Sequence, residues 1–259
     1  MKVFLIIDET SFYHPSFVSQ LIMETNDEIV GAALVTRIPK KNSLKYYLSR
    51  RWYFLKFNEI LKLIYKSYRS KFLDILTTPS VEMFYSVKSV FNYFKIDYFE
   101  VEGDINKKHY LDMIREKEID VIVSSNSLIF KSELLDIPSI CCLNRHSALL
   151  PSYGGLWPIF QAYRSGEDYV GVSVHTMNSD IDGGIVLSNQ KIPITIGCTI
   201  AELYEKCFAL SASVLLDSLN KVRINDFSSC DVSKIDKSYY SFPNKEHWAQ
   251  FRKRNGRFI

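Results

Sequence analysis

An asparagine and a histidine two residues apart, Asn144 and His146, follow a short apolar run at residues 139–143. If the chain stays extended through them, the period of two turns both side chains the same way. An amide can hold a carbonyl oxygen through its N–H donors, and an imidazole with an ordinary pKa of about 6.5 can accept a proton near neutral pH. Such a pair suits acyl transfer, in which an amine attacks a carbonyl carbon, the oxygen gains charge and the nitrogen sheds a proton. A plainer account stays open at this point: a histidine satisfying loop backbone beside an asparagine closing an Asx turn.

The elements that must position the pair can be read from apolar spacing. Residues 3–7 suit a buried strand, residues 16–24 a helix, and residues 29–35 a second strand. Apolar residues at Val81, Phe84, Tyr85, Val87, Val90, Phe91 and Phe94 recur close to every 3.6, predicting a helix over 81–94. A strand at 98–101, a helix at 110–117, a strand at 121–123 and the run at 139–143 continue the alternation. Strands separated by helices imply an α/β fold with a mostly parallel sheet covered on both faces, and ligands bind such sheets beyond the carboxyl ends of the strands. Asn144 and His146 fall there. Past residue 150, residues 169–177 alternate as a half-exposed strand does, and another strand begins at 185–187. Thr199 with Glu202 is a capping box opening a helix through Leu219, after which a polar tail from Arg223 is expected to wrap the main domain.

Composition narrows the class. With 47% hydrophobic and 24% charged residues the chain has material for a full core, which excludes disordered and collagen-like readings. No apolar run is long enough to span a bilayer, and the start of the chain lacks the features of a signal peptide, so a cytoplasmic protein is expected. The five cysteines are odd in number and show no C-x-x-C or zinc spacing; they read as reduced, mostly buried thiols, with no metal site and no phosphate loop.

Taken in order, Asn144-Arg145-His146, Leu149-Leu150-Pro151, Tyr153 with Gly155, Pro158, Gly171-Val172-Ser173-Val174-His175 and Asp182-Gly183-Gly184-Ile185 resemble the folate-dependent formyltransferase family. The close match covers about residues 120–193. The resemblance implies a Rossmann-like fold, 10-formyltetrahydrofolate as formyl donor, and a catalytic set of Asn144, His146 and Asp182. In that set Asn144 suits the oxyanion, His146 or a water it orients takes the amine proton, and Asp182 holds the imidazole, with Asp180 as the competing carboxylate. It also implies a pterin slot between Ser125, Asn126, Ser127, Leu128 and Ile129 on one side and the loop from Met177 through Asp180 to Asp182 on the other, with Leu128, Ile129 and Leu150 as apolar walls. Arg145, Ser147, Ala148 and Gly154 depart from the family's common residues and make the acceptor side unusual. Asp8-Glu9-Thr10-Ser11 stands where relatives acting on phosphoribosylglycinamide carry a phosphate turn, and its acids oppose that acceptor.

One segment lies outside this resemblance. Between residues 37 and 71 there are eleven Lys or Arg and one acid, Glu59, interleaved with aromatic and aliphatic residues. It reads as a helical insertion with its apolar face packed on the domain, or as a contact for an anionic membrane surface or for tRNA. The expected organisation is a catalytic domain over 1–198 with the insertion at about 37–79, and a C-terminal helix and tail over 199–259 packed on it. The expected activity is N-formyl transfer to the primary amine of an amino sugar, linked to a nucleotide and used in surface glycan synthesis. The acceptor is inferred by elimination, because the stretch after the capping-box helix is short for the β-barrel of methionyl-tRNA formyltransferases. Initiator-tRNA formylation, formylfolate hydrolysis and a non-catalytic membrane- or RNA-binding module are the alternatives; homo-oligomers and peripheral membrane contact are allowed for.

Overall fold

In the computed structural model, which describes residues 1–10, 12–37, 49–80, 83–233 and 235–259, the first apolar run lies at the heart of a seven-stranded sheet. Strand β1 (Lys2–Asp8) pairs in parallel with β2 (Glu28–Arg37) on one side and β4 (Val121–Ser125) on the other. A strand with neighbours on both edges and layers on both faces must be apolar throughout, and Val3 to Ile7 are almost wholly inaccessible. The strand order is β3-β2-β1-β4-β5-β7-β8, with β3 at Tyr98–Glu102, β5 at Cys141–His146, β7 at Tyr169–Thr176 and β8 at Val186–Pro193. β5 runs parallel to β4 but antiparallel to β7.

Alternate residues of β1 feed opposite layers. Val3, Leu5 and Ile7 join the larger core with α1 (His14–Glu24), α3 (Val87–Tyr93), α7 (Ile200–Ala209) and α8 (Ser211–Arg223). Phe4 and Ile6 join a second core with α4 (Lys108–Arg115) and α5 (Ser132–Leu135). The tail adds β9 (Tyr239–Tyr240), paired with β6 (Gly154–Gly155), and α9 (Lys245–Lys253), whose Trp248 and Phe251 pack on Phe160 of α6 (Pro158–Ser165).

Four local expectations change. β7 is buried on both faces instead of half-exposed, because its small residues anchor the neighbouring loop. A Cβ on Gly171 would lie 2.4 Å from the Leu149 side chain, and the Ser173 hydroxyl donates to Ala148 O at 2.7 Å while accepting the Leu150 N–H at 3.1 Å. The helix expected over 81–94 begins only at Val87, since Ser86 is extended and caps it by accepting the Ser89 N–H; Val81 and Glu82 lie outside the described residues. The helix opened by the Thr199–Glu202 capping box divides at Leu210. There Ser211 donates back to Cys207 O at 2.7 Å, a bond that bends helices.

The fourth concerns the basic insertion, of which residues 38–48 lie outside the described set. Helix α2 (Phe57–Leu76) is pinned through its polar edge. Glu59 is buried and takes Arg252 Nη1 at 2.9 Å, Arg252 Nη2 at 2.5 Å and the Phe258 N–H at 2.7 Å, while Lys66 reaches Glu205 at 2.7 Å. Leu55, Ile60 and Leu63 touch the core, but Phe57, Leu61, Ile64, Tyr68, Phe72 and Ile75 are exposed. The expectation that the apolar face of the insertion packs on the domain therefore fails for most of that face. No described helix is long and apolar enough to cross a membrane.

Candidate active site

β5 stays extended through His146, so Asn144 and His146 fall on one face of the sheet and Arg145 on the other. They border a cavity of about 500 Å³ at the carboxyl ends of β1, β4 and β5, a volume in the range of small-molecule sites. Ser125, Asn126, Ser127, Leu128 and Ile129 line it, as do Met177, Asp180 and Asp182. Leu150 does not: it is fully buried with Ala148 and Val186 in a separate small cluster, drawn there by the anchoring of its N–H on Ser173.

The loop after β7 carries Asp182 to the histidine. Asn178 Oδ1 accepts the Asp180 N–H and Asp180 O accepts the Gly183 N–H, closing a turn in which Asp182 has a left-handed φ of 50°. Asp182 Oδ1 lies 3.6 Å from His146 Nδ1, and its Oδ2 accepts the Gly155 N–H at 2.6 Å. Gly155 must be glycine: its φ is +89°, and a Cβ would come 2.1 Å from Tyr240 O. Asp180 is exposed, and of the two carboxylates Asp182 is the one beside His146.

Across the β5–β7 ladder Asn144 faces His175. His175 Nδ1 is 2.8 Å from the carbonyl oxygens of Thr176 and Gly183, which makes Nδ1 the protonated nitrogen; Nε2 then accepts from Asn144 Nδ2 at 3.2 Å. Burial lowers the His175 pKa, and nearby His146 adds to this, consistent with a neutral ring. The residue sits within the sequence motif, but its partnership depends on strand register, which residue spacing does not reveal.

At the end of β4, Asn126 folds back on itself: Nδ2 donates to Ile6 O and Ser124 Oγ, and Oδ1 accepts the Leu128 N–H. Backbone groups of 127–129 are thereby turned along the cavity wall. Asp8, at the end of β1, is also in the wall, and burial pushes its pKa up to about 7 despite hydrogen bonding from Ser127. His14 lies 3.1 Å from Ser125 O and Ser125 Oγ; burial first, then the Arg145 charge, push its pKa down to about 3. Arg145, only 6% exposed, donates from Nε to Ser211 Oγ at 2.8 Å and stacks over Phe208 at 3.8 Å. No ion pair of Arg145 is seen among the described residues.

Among the described residues, His146 Nε2, Asp8 Oδ1 and Arg145 Nη2 are buried side-chain atoms without a hydrogen-bond partner, and all three residues border the cavity. Buried polar groups are rarely left unmatched. A ligand carrying both donors and acceptors, as a pterin with a formyl group does, fits this wall. No cluster of His, Cys, Asp or Glu suited to a metal ion occurs among the described residues.

Comparison with known proteins finds similarity to formyl transferases. A methionyl-tRNA formyltransferase of Thermotoga sp. (strain RQ2) is 30% identical over 161 residues, 62% of this chain and 51% of the relative. The chain spans about half the length of the curated relatives it matches. A phosphoribosylglycinamide formyltransferase from Anaplasma phagocytophilum superposes with a TM-score of 0.59 at 14% identity, covering 92% of this chain and 97% of the other. A sugar 3N-formyl transferase, solved with dTDP and 5-N-formyl-THF, superposes with a TM-score of 0.58 at 14% identity over 93% of this chain and 69% of the other. At such identities the two structures speak to the fold alone. The family model for formyl transferases matches residues 79–219, just over half of the chain, starting where the basic insertion ends. The chain belongs to the folate-dependent formyl transferase family.

Proposed function

We propose that this protein transfers a formyl group from 10-formyltetrahydrofolate to the primary amine of an amino sugar carried on a nucleotide, in the cytoplasm, for the synthesis of surface glycans. The observation that carries the transfer itself is the contact of Asp182 with His146 beside Asn144 at the wall of one cavity. The folate supplies a formyl group already activated on nitrogen, so no covalent acyl-enzyme is required.

Asn144 keeps one amide N–H beyond the bond to His175, and that donor serves the formyl oxygen as charge gathers on it. His146, held through Nδ1 by Asp182, has an unpartnered Nε2 that takes the proton of the attacking amine. Asp182 steadies the imidazolium so formed. The new carbon–nitrogen bond forms to the acceptor, the bond to the folate nitrogen breaks, and His146 returns the proton to that leaving nitrogen. Residues 125–129 and the loop from Met177 to Asp182 hold the pterin.

An anionic acceptor is favoured by Arg145, a buried guanidinium at the cavity without a carboxylate partner. Phosphate groups on a sugar nucleotide meet that need; so do the backbone phosphates at the acceptor end of a charged tRNA, and the relatives named for methionyl-tRNA make that the second reading. Incubation with 10-formyltetrahydrofolate and a panel of amino-sugar nucleotides, with charged initiator tRNA alongside, followed by mass spectrometry of the products, separates them. A mass increase on a sugar nucleotide supports the first reading. Formylation of the tRNA alone selects the second, and release of formate without an acylated acceptor rejects both.

A further inference from the structure

Helix α2 carries its apolar stripe on the wrong side for a core helix. Phe57, Leu61, Ile64, Tyr68, Phe72 and Ile75 recur at spacings of three and four, so they share one face, and all are exposed, Phe57 at 75% and Ile75 at 83%. The opposite face holds the helix to the domain through polar contacts: Glu59 to Arg252, Lys66 to Glu205, and Asp74 to the Ser89 hydroxyl. Lys62 and Arg69 lie along one border of the stripe and Lys71 along the other. All three are exposed, and none forms an ion pair among the described residues. Both acids of the helix, Glu59 and Asp74, belong to the packed side.

We propose that this face of α2 docks on an anionic lipid surface, with the helix lying in the plane of the interface, its aromatic and aliphatic residues in the headgroup boundary and its bordering cations among lipid phosphates. The pattern of an apolar stripe edged by Lys and Arg is that of interfacial helices. A contiguous apolar surface of this kind is uncommon on a monomer with nothing to cover it. Charge complementarity chooses among occupants. A second copy meeting the first through the same face would bring the same cations together with no acid between them. A nucleic acid would match the cations but offers little for Ile64, Phe72 or Ile75. Lipid headgroups and acyl chains match both. This inference is independent of which amine is formylated.

The test is sedimentation of the full chain with vesicles of phosphatidylcholine alone or with about 30% phosphatidylglycerol, at low and physiological salt. Two variants probe the two halves of the face: Ile64→Ser/Tyr68→Ser/Phe72→Ser, and Lys62→Glu/Arg69→Glu/Lys71→Glu. The expected result is binding to the anionic vesicles only, weakened by salt and reduced about 100-fold or more by the charge variant, the scale of three cations near such a surface. The apolar variant should also lose binding, and both should keep the thermal transition and formyl transfer to a soluble acceptor. No binding to anionic vesicles, or binding that survives both variants, overturns the proposal. So does concentration-dependent self-association abolished by the apolar variant without vesicle binding, or tRNA binding lost with the charges in its place.

Discussion

Asn144 and His175 stand opposite each other across the seam where the sheet changes from parallel to antiparallel, and the asparagine amide donates to the imidazole over 3.2 Å. The bond fixes which way the amide faces: with Nδ2 engaged at one hydrogen, its second N–H has a defined direction. His175 is thus a positioning residue for Asn144. His175→Leu should lower kcat by about 10- to 100-fold with little change in the KM for either substrate, whereas His175→Gln, which can still accept, should recover part of the loss. Equal effects on KM and kcat, or no recovery by Gln, would show that the histidine only fills space.

The proposed proton and oxyanion groups give larger effects. Asn144→Ala, His146→Ala and Asp182→Asn should each reduce turnover by about 100-fold or more while the thermal transition is retained, as single acid–base or oxyanion groups do elsewhere. Asp180→Asn, altering an exposed carboxylate of the pterin loop that does not meet the imidazole, should keep turnover at saturating folate within a few-fold of wild type. A folded His146→Ala protein with near-normal turnover would refute the assignment.

A third expectation concerns Arg145. Burying a cation without a counter-charge is costly, and an anionic ligand relieves the cost. Arg145→Met keeps a flexible apolar side chain against Phe208 and should raise the KM for a phosphorylated acceptor by about 10-fold or more, with a melting temperature equal to or above that of wild type. Inorganic phosphate or pyrophosphate should stabilise the wild type and not the variant in a thermal shift measurement. A loss of stability with unchanged KM would make the guanidinium a core element.

Asp8 makes stability depend on pH. An acid whose pKa is near 4 in the unfolded chain and about 7 in the folded protein binds its proton more tightly when folded. Its effect is absent below pH 4, and the folded state loses stability as pH rises from there to about 7. Asp8→Asn removes this dependence, so the variant should melt higher than wild type at pH 8, by at least about 2–4 °C, and much closer to it at pH 4. Melting curves across that range provide the check; an identical difference at both ends would mean that the Asp8 carboxyl titrates alike in both states.

Much of this arrangement was legible in residue order because its causes are local. The apolar run at 3–7 suits a buried strand and is one, the capping box at Thr199 opens α7, and the spacing of Asn144 and His146 places them together once the strand continues. What escaped depends on contacts between distant segments. The burial of β7 comes from Leu149 lying over Gly171, the break at Leu210 from Ser211 serving both Cys207 and Arg145, and the site role of His175 from a register. The family resemblance points to Leu150 as an apolar wall, yet the anchoring of its N–H on the Ser173 hydroxyl places it in another cluster. The direction of the α2 stripe was also beyond reach, since periodicity reports that a face exists and not what it meets.

The short pairing of β6 with β9 sets an order of events in the making of the protein. Tyr153 donates its N–H to Ser238 Oγ, Gly154 donates to Ser238 O and Leu156 to Tyr240 O, contacts across 85 residues in the first case. Between them lies Gly155, whose N–H holds Asp182. All seven strands of the main sheet end by Pro193, so this pairing needs residues that are made after every one of them. As the chain leaves the ribosome, the sheet can gather while residues near 240 are still being added, but the backbone that holds Asp182 is secured only when they arrive. The backbone anchor of this carboxylate thus depends on residues synthesised after every strand of the sheet that displays its partner histidine.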